Sequence, residues 1–348
     1  MRNHEKKGIH AAISIALLAA AALACSCGGA RKKADPGRPP LIGFSLDSLV
    51  VERWQRDVDI FTRSAYELGA DVLLRVADQD HTVQERQIRE LADAGIDVLV
   101  VVPNDADRLS TVISEVKARG IRILSYDRLV RNAGVDLYVS FDNQKVGRLM
   151  TESVTQAVPR GGFVIINGAK SDNNAMMLNA GMHGVLDPLL ASGAAHLVGE
   201  IWPTSWDSDE VKAALESLLV GNREIDAVIA GNDMLAEAAI SVLSENRLMG
   251  NVKIAGQDAE LAACQRIAEG SQYATVYKPI ERLALKAAGY AVMLAKGEDI
   301  ETDAVINDGR YDVPYVRLEP ILVTKDLLDA TVIKDGFHVA TDVYRNVR

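Results

Sequence analysis

The 348-residue chain is 48% hydrophobic and 5% aromatic, and its 38 Lys and Arg face 48 Asp and Glu for a formal net charge of −10. That length suffices for two domains with sizeable cores, and the acidic balance argues against a nucleic-acid partner, whose phosphates need a basic surface. Cys25, Cys27 and Cys264 are too few to hold such a body together by disulfides, and Cys264, set among apolar neighbours, reads as a small buried side chain on a helix.

In chain order, residues 1–24 come first: Arg2, Lys6 and Lys7, then an apolar run from Ala11 to Ala24. A basic start and a short apolar core read as an export signal peptide, since the run falls short of the ~20 residues that span a bilayer. Its end, Ala22-Leu23-Ala24-Cys25, resembles a bacterial lipobox. This implies cleavage before Cys25 and acylation of its thiol, with Cys27 the second candidate; ordinary cleavage, with the two cysteines incidental or disulfide-linked, is the competing reading. Residues 25–40 hold Gly28, Gly29, three prolines and Arg31-Lys32-Lys33, with almost nothing to bury, and read as a flexible tether. The expected location is therefore the periplasm or cell surface, with membrane contact through the N-terminal lipid alone.

The body begins near Leu41. Strand-like runs at 41–46, 72–76, 98–102 and 123–126 alternate with helical patterns from Glu52, from Thr82 and up to Arg119. In the first helix Trp54, Val58, Phe61, Ala65 and Leu68 fall on one stripe, while Arg53, Gln55, Arg56, Asp57 and Asp59 fall between them. The run Val98-Leu99-Val100-Val101-Val102 is apolar without alternation, as a parallel strand covered on both faces must be. After Asp142-Asn143 the grammar repeats: strands at 163–166, 197–201, 227–230, 252–255 and 274–277, helices through 177–190, 211–219 and 236–243, and a last helix over 279–296 opened by Pro279. Residues 95–105 echo residues 224–233, each a strand ending in Asn-Asp before a helix, which by itself establishes only a shared pattern. The prediction is an α/β chain of doubly wound parallel sheets.

Polar residues gather just past the carboxyl ends of these strands, the edge where open α/β sheets bind ligands. The set comprises Arg53 and Trp54, Asp127-Arg128, Asp172-Asn173-Asn174, Trp206, Asn232-Asp233, Gln257-Asp258 and Lys278. A sugar hydroxyl both donates and accepts, so a site that desolvates several needs carboxylates beside guanidinium, ammonium and amide donors, and a flat indole suits the apolar C–H face of a sugar ring. Taken singly, Asp127, Asp172, Asn173, Asn232 and Asp233 also suit helix caps, Arg53 suits a solvated surface, and Trp54 suits the core.

At these residues the chain resembles the periplasmic sugar-binding proteins of bacterial ABC importers, and among them those for D-xylose. The resemblance covers residues 41–338 and rests on Glu52-Arg53-Trp54-Gln55, Tyr126-Asp127-Arg128, Ser140-Phe141-Asp142-Asn143, Asp172-Asn173-Asn174-Ala175, Gly256-Gln257-Asp258-Ala259, Tyr277-Lys278-Pro279-Ile280 and the run from Val332 to His338. It implies the type I periplasmic-binding-protein fold: two similar doubly wound parallel-sheet lobes, here 41–142 plus 279–308 and 143–278 plus 309–348, joined by three crossings near 142–143, 277–278 and 307–314. It also implies that Arg53, Asp127, Arg128, Asp172, Asn174, Asn232, Asp258 and Lys278 hydrogen-bond a monosaccharide while Trp54 and Trp206 sandwich its ring. The implied partners are a membrane permease and the sugar, with no cofactor or metal, the chain acting as a monomer. Lys170-Ser171 and Met234-Leu235 depart from the family pattern, which leaves ribose-, glucose- or arabinose-type specificity as alternatives to D-xylose.

An enzyme is the competing class. The chain has no P-loop, no Gly-x-Ser-x-Gly and no His-Glu-x-x-His, and its six histidines are scattered. A glycosidase pair among Asp127, Asp172 and Asp258 needs one carboxyl of raised pKa, and Arg128 and Lys278 are expected to keep all three ionised. A lipoprotein that reports the sugar to a membrane histidine kinase or chemoreceptor would use the same fold and is the third class.

Overall fold

The computed structural model describes residues 37–347 apart from Val51, Glu52, Asn222, Arg223 and Asp303. The signal peptide, Cys25, Cys27 and most of the tether lie outside the described residues.

The first lobe is built from β1 (Leu41–Leu46), α1 (Arg53–Glu67), β2 (Asp71–Val76), α2 (His81–Asp93), β3 (Val98–Val101), α3 (Ser110–Ala118), β4 (Arg122–Tyr126) and β5 (Leu137–Phe141). The second follows with α4 (Asn143–Ala157), β6 (Gly161–Ile166), α5 (Asn173–Ala191), β7 (Ala195–Ile201), α6 (Ser208–Gly221), β8 (Ala227–Ala230), α7 (Asp233–Glu245), β9 (Lys253–Gln257), α8 (Leu261–Glu269) and β10 (Ala274–Tyr277). The remainder is α9 (Ile280–Lys296), β11 (Ala304–Asn307), β12 (Asp312–Leu318), β13 (Ile321–Thr324) and the short α10 (Ala340–Val343).

Continuous apolar strands result from covering both sheet faces. Val98 and Val100 enter one core with Phe44, Phe61 and the α9 alanines, while Leu99 and Val101 enter another with Ile88, Leu91 and Ile113. The second lobe splits Val164 and Ile166 from Phe163 and Ile165 in the same way. Each such side chain contributes roughly 1.5–3 kcal/mol on burial. Cys264 is buried in α8, as its neighbours led one to expect.

The sheets run β11-β12-β5-β4-β3-β1-β2 and β13-β10-β9-β8-β6-β7. Their parallel parts share one winding, 2-1-3-4-5 and 7-6-8-9-10, so the echoed segments occupy equivalent strands, β3 and β8. In both sheets the order reverses at the first strand, which opens a crevice at the strands' carboxyl ends.

The chain passes between lobes where β5 leads into α4 and where Lys278-Pro279 leads β10 into α9, which returns to pack in the α1 core. The third crossing differs from the expectation at 307–314. Strand β12 pairs in parallel with β5 and antiparallel with β11, so residues 312–318 belong to the first sheet, not the second lobe, and the chain crosses at Glu319-Pro320. Asp308-Gly309, within the segment expected to cross, closes a hairpin instead. Asp308 accepts from Arg310 N at 2.9 Å and Tyr311 N at 2.7 Å, and from Gly134 N at 2.7 Å, which ties the hairpin to the loop before β5.

Candidate ligand site between the lobes

All ten sequence-selected residues line one pocket, with about 360 Å³ of empty space that is partly open to solvent: Arg53, Trp54, Asp127, Arg128, Asp172, Asn174, Trp206, Asn232, Asp258 and Lys278. Gln257, noted on its strand end but not carried into the expected set, joins them.

Arg53 opens α1 and is only 7% exposed, although its place between the apolar positions suggested solvent. It is buried because a second polar residue folds in with it. Asp57, one turn on, takes Arg53 Nε at 3.0 Å and Nη2 at 3.3 Å, and also accepts from the Tyr126 hydroxyl. So fixed, Arg53 directs Nη1 to Asp127 Oδ1 at 3.1 Å in its own lobe and toward Asp258 Oδ1 at 3.9 Å in the other. The i, i+4 spacing was the available signal for Asp57. The predicted stripe holds for Trp54, Val58, Phe61 and Ala65 but ends before Leu68, which is 48% exposed beyond the helix.

Arg128 bridges the lobes more tightly, with Nη1 2.8 Å from Asp47 Oδ2 and Nε 2.8 Å from Asp172 Oδ2. Asn174 donates across the cleft to the Asp127 carbonyl at 3.0 Å, and Ala106 N donates to Ser171 O at 2.9 Å, so the lobes are closed on one another. Asp172 and Asn232 are N-caps, accepting from Asn174 N at 2.9 Å and Leu235 N at 2.8 Å, yet both still line the cavity. Capping and facing a ligand were not exclusive readings.

Trp206 lies against Gly168 and Gly231. A Cβ at Gly168 would fall 2.2 Å from the indole, and one at Gly231 3.1 Å from it, so the ring rests against bare backbone. Its Nε1 donates to Asp172 Oδ2 at 3.2 Å. Trp54 belongs to the first-lobe core as well as the cavity wall, and the guanidinium groups of Arg53 and Arg128 sit 4.6 Å and 5.5 Å from its ring centroid.

Asp127 and Asp258 each follow a strand in the left-handed region, with φ of 59° and 94°. Such backbone costs about 1–3 kcal/mol for a residue with a side chain and gathers at functional sites. Lys278 Nζ lies 2.8 Å from Asp258 Oδ1 as an ion pair outside hydrogen-bonding angles, so that oxygen keeps acceptor capacity. Gln257 Oε1 and Trp54 Nε1 are likewise buried with no hydrogen-bond partner among the described residues. A buried lining that leaves both acceptors and a donor uncommitted is suited to a polyhydroxylated ligand.

Burial works against the Asp127 charge, but Arg53, Lys278 and Arg128 outweigh it and hold this carboxyl below the usual range. Asp172 departs from the expectation that every site acid stays readily ionised: burial pushes it up, and Arg128 with the Asn174 amide offsets only part of that. No group of histidine, cysteine and acidic side chains that could hold a metal, and no helix long and apolar enough to cross a membrane, occurs among the described residues.

Residues 42–299 match the model of the periplasmic binding protein domain family. The chain is 47% identical over 304 residues to the D-xylose-binding periplasmic protein of Haemophilus influenzae, spanning 87% of this chain and 92% of that one. It is 43% identical to the D-xylose-binding periplasmic protein of Escherichia coli, again over 87% and 92% of the two chains. Among solved structures, the carbohydrate transporter solute binding protein from Chloroflexus aurantiacus, in complex with D-glucose, superposes with a TM-score of 0.81 at 27% identity, covering 86% of this chain and 97% of that one. A shared fold across both lobes, with this much identity over nine-tenths of each relative, makes the chain a member of the periplasmic binding protein family, alongside the D-xylose-binding periplasmic proteins.

Proposed function

We propose that this is the lipid-anchored substrate-binding subunit of a bacterial ABC sugar importer, which captures D-xylose between its lobes, delivers it to a membrane permease and performs no chemistry of its own. The observation that carries the reading is Arg53, which reaches acidic partners of both lobes, Asp127 at 3.1 Å and Asp258 at 3.9 Å, inside the cleft between them. Sugar hydroxyls in that cavity would accept from Arg53, Arg128, Lys278 and Asn174 and donate to Asp127, Asp172 and Asp258. An open cleft offers only one lobe's share of these partners at a time, so the ligand favours closure by its differential affinity for the closed state. Trp206 would cover a C–H face of the ring, and Trp54 would supply the opposing apolar wall. Acylation of Cys25 would hold the protein at the membrane through the tether.

Calorimetric titration of the purified protein with D-xylose, then glucose, ribose and arabinose, tests the reading. Tight one-to-one binding of D-xylose with much weaker binding of the others is the expected result; preference for another sugar replaces the substrate, and no sugar binding at all removes the assignment.

A further inference from the structure

The turn after β9 holds two successive non-glycine residues in the left-handed region, Asp258 at φ 94° and Ala259 at φ 53°. Aspartate tolerates that region but alanine does not, so surrounding groups must secure the pair. Asp258 N donates to Val276 O at 2.9 Å and Ala259 N to Thr275 Oγ1 at 3.2 Å. Glu260 N donates to Asp233 Oδ2 at 3.1 Å. Thr275 Oγ1 itself donates to Asp233 Oδ2 at 2.8 Å, and Gln272 Nε2 donates to Asp233 Oδ1 at 2.8 Å.

Two of the bonds that fix the turn therefore end on one carboxylate, directly through Glu260 N and indirectly through Thr275. Asp233 is fully buried and does not line the cavity. A Cβ at residue 256 would stand 2.3 Å from Asp233 Oδ1, so Gly256 is what lets the carboxylate come this close to β9.

We propose that Asp233 is a positioning residue for ligand binding, its carboxylate holding the turn that presents Asp258 to the cavity; this rests on the sugar-site reading above. An ionised carboxylate can accept from all three donors at once, whereas an asparagine amide would set its own N–H groups against one of them. Burial pushes Asp233 up to about 7, with the Thr275 and Gln272 hydrogen bonds opposing and Asp258 adding to the rise. The charged or titratable groups around it are Asp258, Arg266 of α8 with Nη2 3.5 Å from the Asp233 carbonyl, and Glu237, paired with Arg266 at 3.2 Å. His338 also touches the turn, its Nε2 2.7 Å from Ala259 O. Protonation of Asp233 near neutrality would convert an acceptor into a donor facing donors, loosening the turn.

The test compares wild type, Asp233→Asn, Thr275→Val and His338→Gln by calorimetry with D-xylose between about pH 6 and about pH 8, the range that brackets this titration. Asp233→Asn is expected to bind about tenfold or more weakly at the upper pH, the effect of one hydrogen bond to a charged group. Wild type and His338→Gln should both lose affinity toward the lower pH, and Asp233→Asn should lose much less. Thr275→Val, which removes the bridging hydroxyl without adding a donor, should weaken binding by a smaller factor and serves if Asp233→Asn fails to fold. Wild-type affinity in both Asp233→Asn and Thr275→Val, or a pH slope that His338→Gln abolishes and Asp233→Asn retains, overturns the proposal. Amide hydrogen exchange needs no sugar, so it separates this inference from the substrate assignment: faster exchange at Ala259 and Glu260 in Asp233→Asn, with the Asp127 amide unchanged, supports it, and unchanged exchange at the turn overturns it.

Discussion

The two lobes each place an aspartate in left-handed backbone at the equivalent strand end, Asp127 after β4 and Asp258 after β9, and secure it by different chemistry. Around Asp127 the acceptor is a carbonyl: Asp127 O takes Tyr138 OH at 2.9 Å, Ser140 Oγ at 2.6 Å and Asn174 Nδ2 at 3.0 Å. Around Asp258 the acceptor is the Asp233 carboxylate, and Asp233, Thr275 and Gln272 all belong to the second lobe. Asn174 lies across the cleft from Asp127, so the first turn is completed only when the lobes meet, while the second is secured within its own lobe. Closure and presentation of acceptors are thus one event on the first lobe and separate events on the second. A ligand arriving at an open cleft would find the Asp258 side already organised.

The greatest loss should follow from cutting the link between the halves. Arg128→Ala would leave Asp47 and Asp172 buried without their shared cation, which typically destabilises by about 3–5 kcal/mol. Denaturant unfolding should register that loss and calorimetry should find little remaining affinity; stability within about 0.5 kcal/mol of wild type, the range of ordinary surface changes, would show the bridge to be incidental.

Next come the two aspartates themselves. Asp258→Ala and Asp127→Ala should each lower affinity by more than about 1 kcal/mol, because buried hydroxyls lose an acceptor and buried cations lose a partner. Asp127→Ala should also remove the Oδ2 acceptor that Asn174 Nδ2 reaches across the cleft at 3.4 Å, a closer link than the 3.9 Å approach of Arg53 to Asp258, and so weaken closure more in the absence of ligand. X-ray scattering of the ligand-free variants would sharpen the contrast: a more open ensemble for Asp127→Ala than for Asp258→Ala is expected, and the reverse order would contradict the division of labour.

A smaller effect is expected at the indole seat. Gly168→Ala would put a methyl 2.2 Å from the Trp206 ring and must displace it, whereas Trp206→Ala removes the ring outright. Both should weaken binding and diminish any sugar-induced change in tryptophan fluorescence. An unaltered signal in Trp206→Ala would assign the indole to the wall of the lobe alone.

Much of this arrangement was legible in the sequence because it obeys rules of short range. The 98–102 run, apolar on both parities, announced a doubly covered strand, and polar residues after such strands announced the crevice. What could not be read depends on distant partners. Asp57 looked like a solvated helix position; its burial follows from Tyr126, 69 residues away, and from the ion pair with Arg53. Asp233 looked like a helix-end residue, and its use depends on Thr275, 42 residues on, and on the approach that Gly256 permits. The hairpin of β11 and β12 was placed at a crossing by the resemblance alone, because the pairing of β12 with β5, some 174 residues earlier in the chain, leaves no local signal.

The finest distinction between the lobes is in the response of stability to pH. Asp127 is held below the ordinary carboxylate range despite burial, so its ionised form stabilises the fold; that contribution is present above the unfolded pKa of about 4 and is lost as pH falls through the lower folded value. Asp233 has the opposite sign. With its folded pKa pushed up to about 7, unfolding releases a proton between about pH 4 and about pH 7, and stability falls as pH rises through that window. Urea unfolding of wild type and Asp233→Asn at several pH values should thus show the advantage of wild type shrinking from about pH 5 to about pH 8. For Asp127→Asn the advantage should instead grow as pH rises from about 3 to about 5. A constant difference between wild type and Asp233→Asn would mean that the acid titrates normally despite its burial. If it shrinks as expected, the charge state that best fixes the Asp258 turn is the one folding disfavours, and the second lobe holds its acceptor ready at the expense of its own stability.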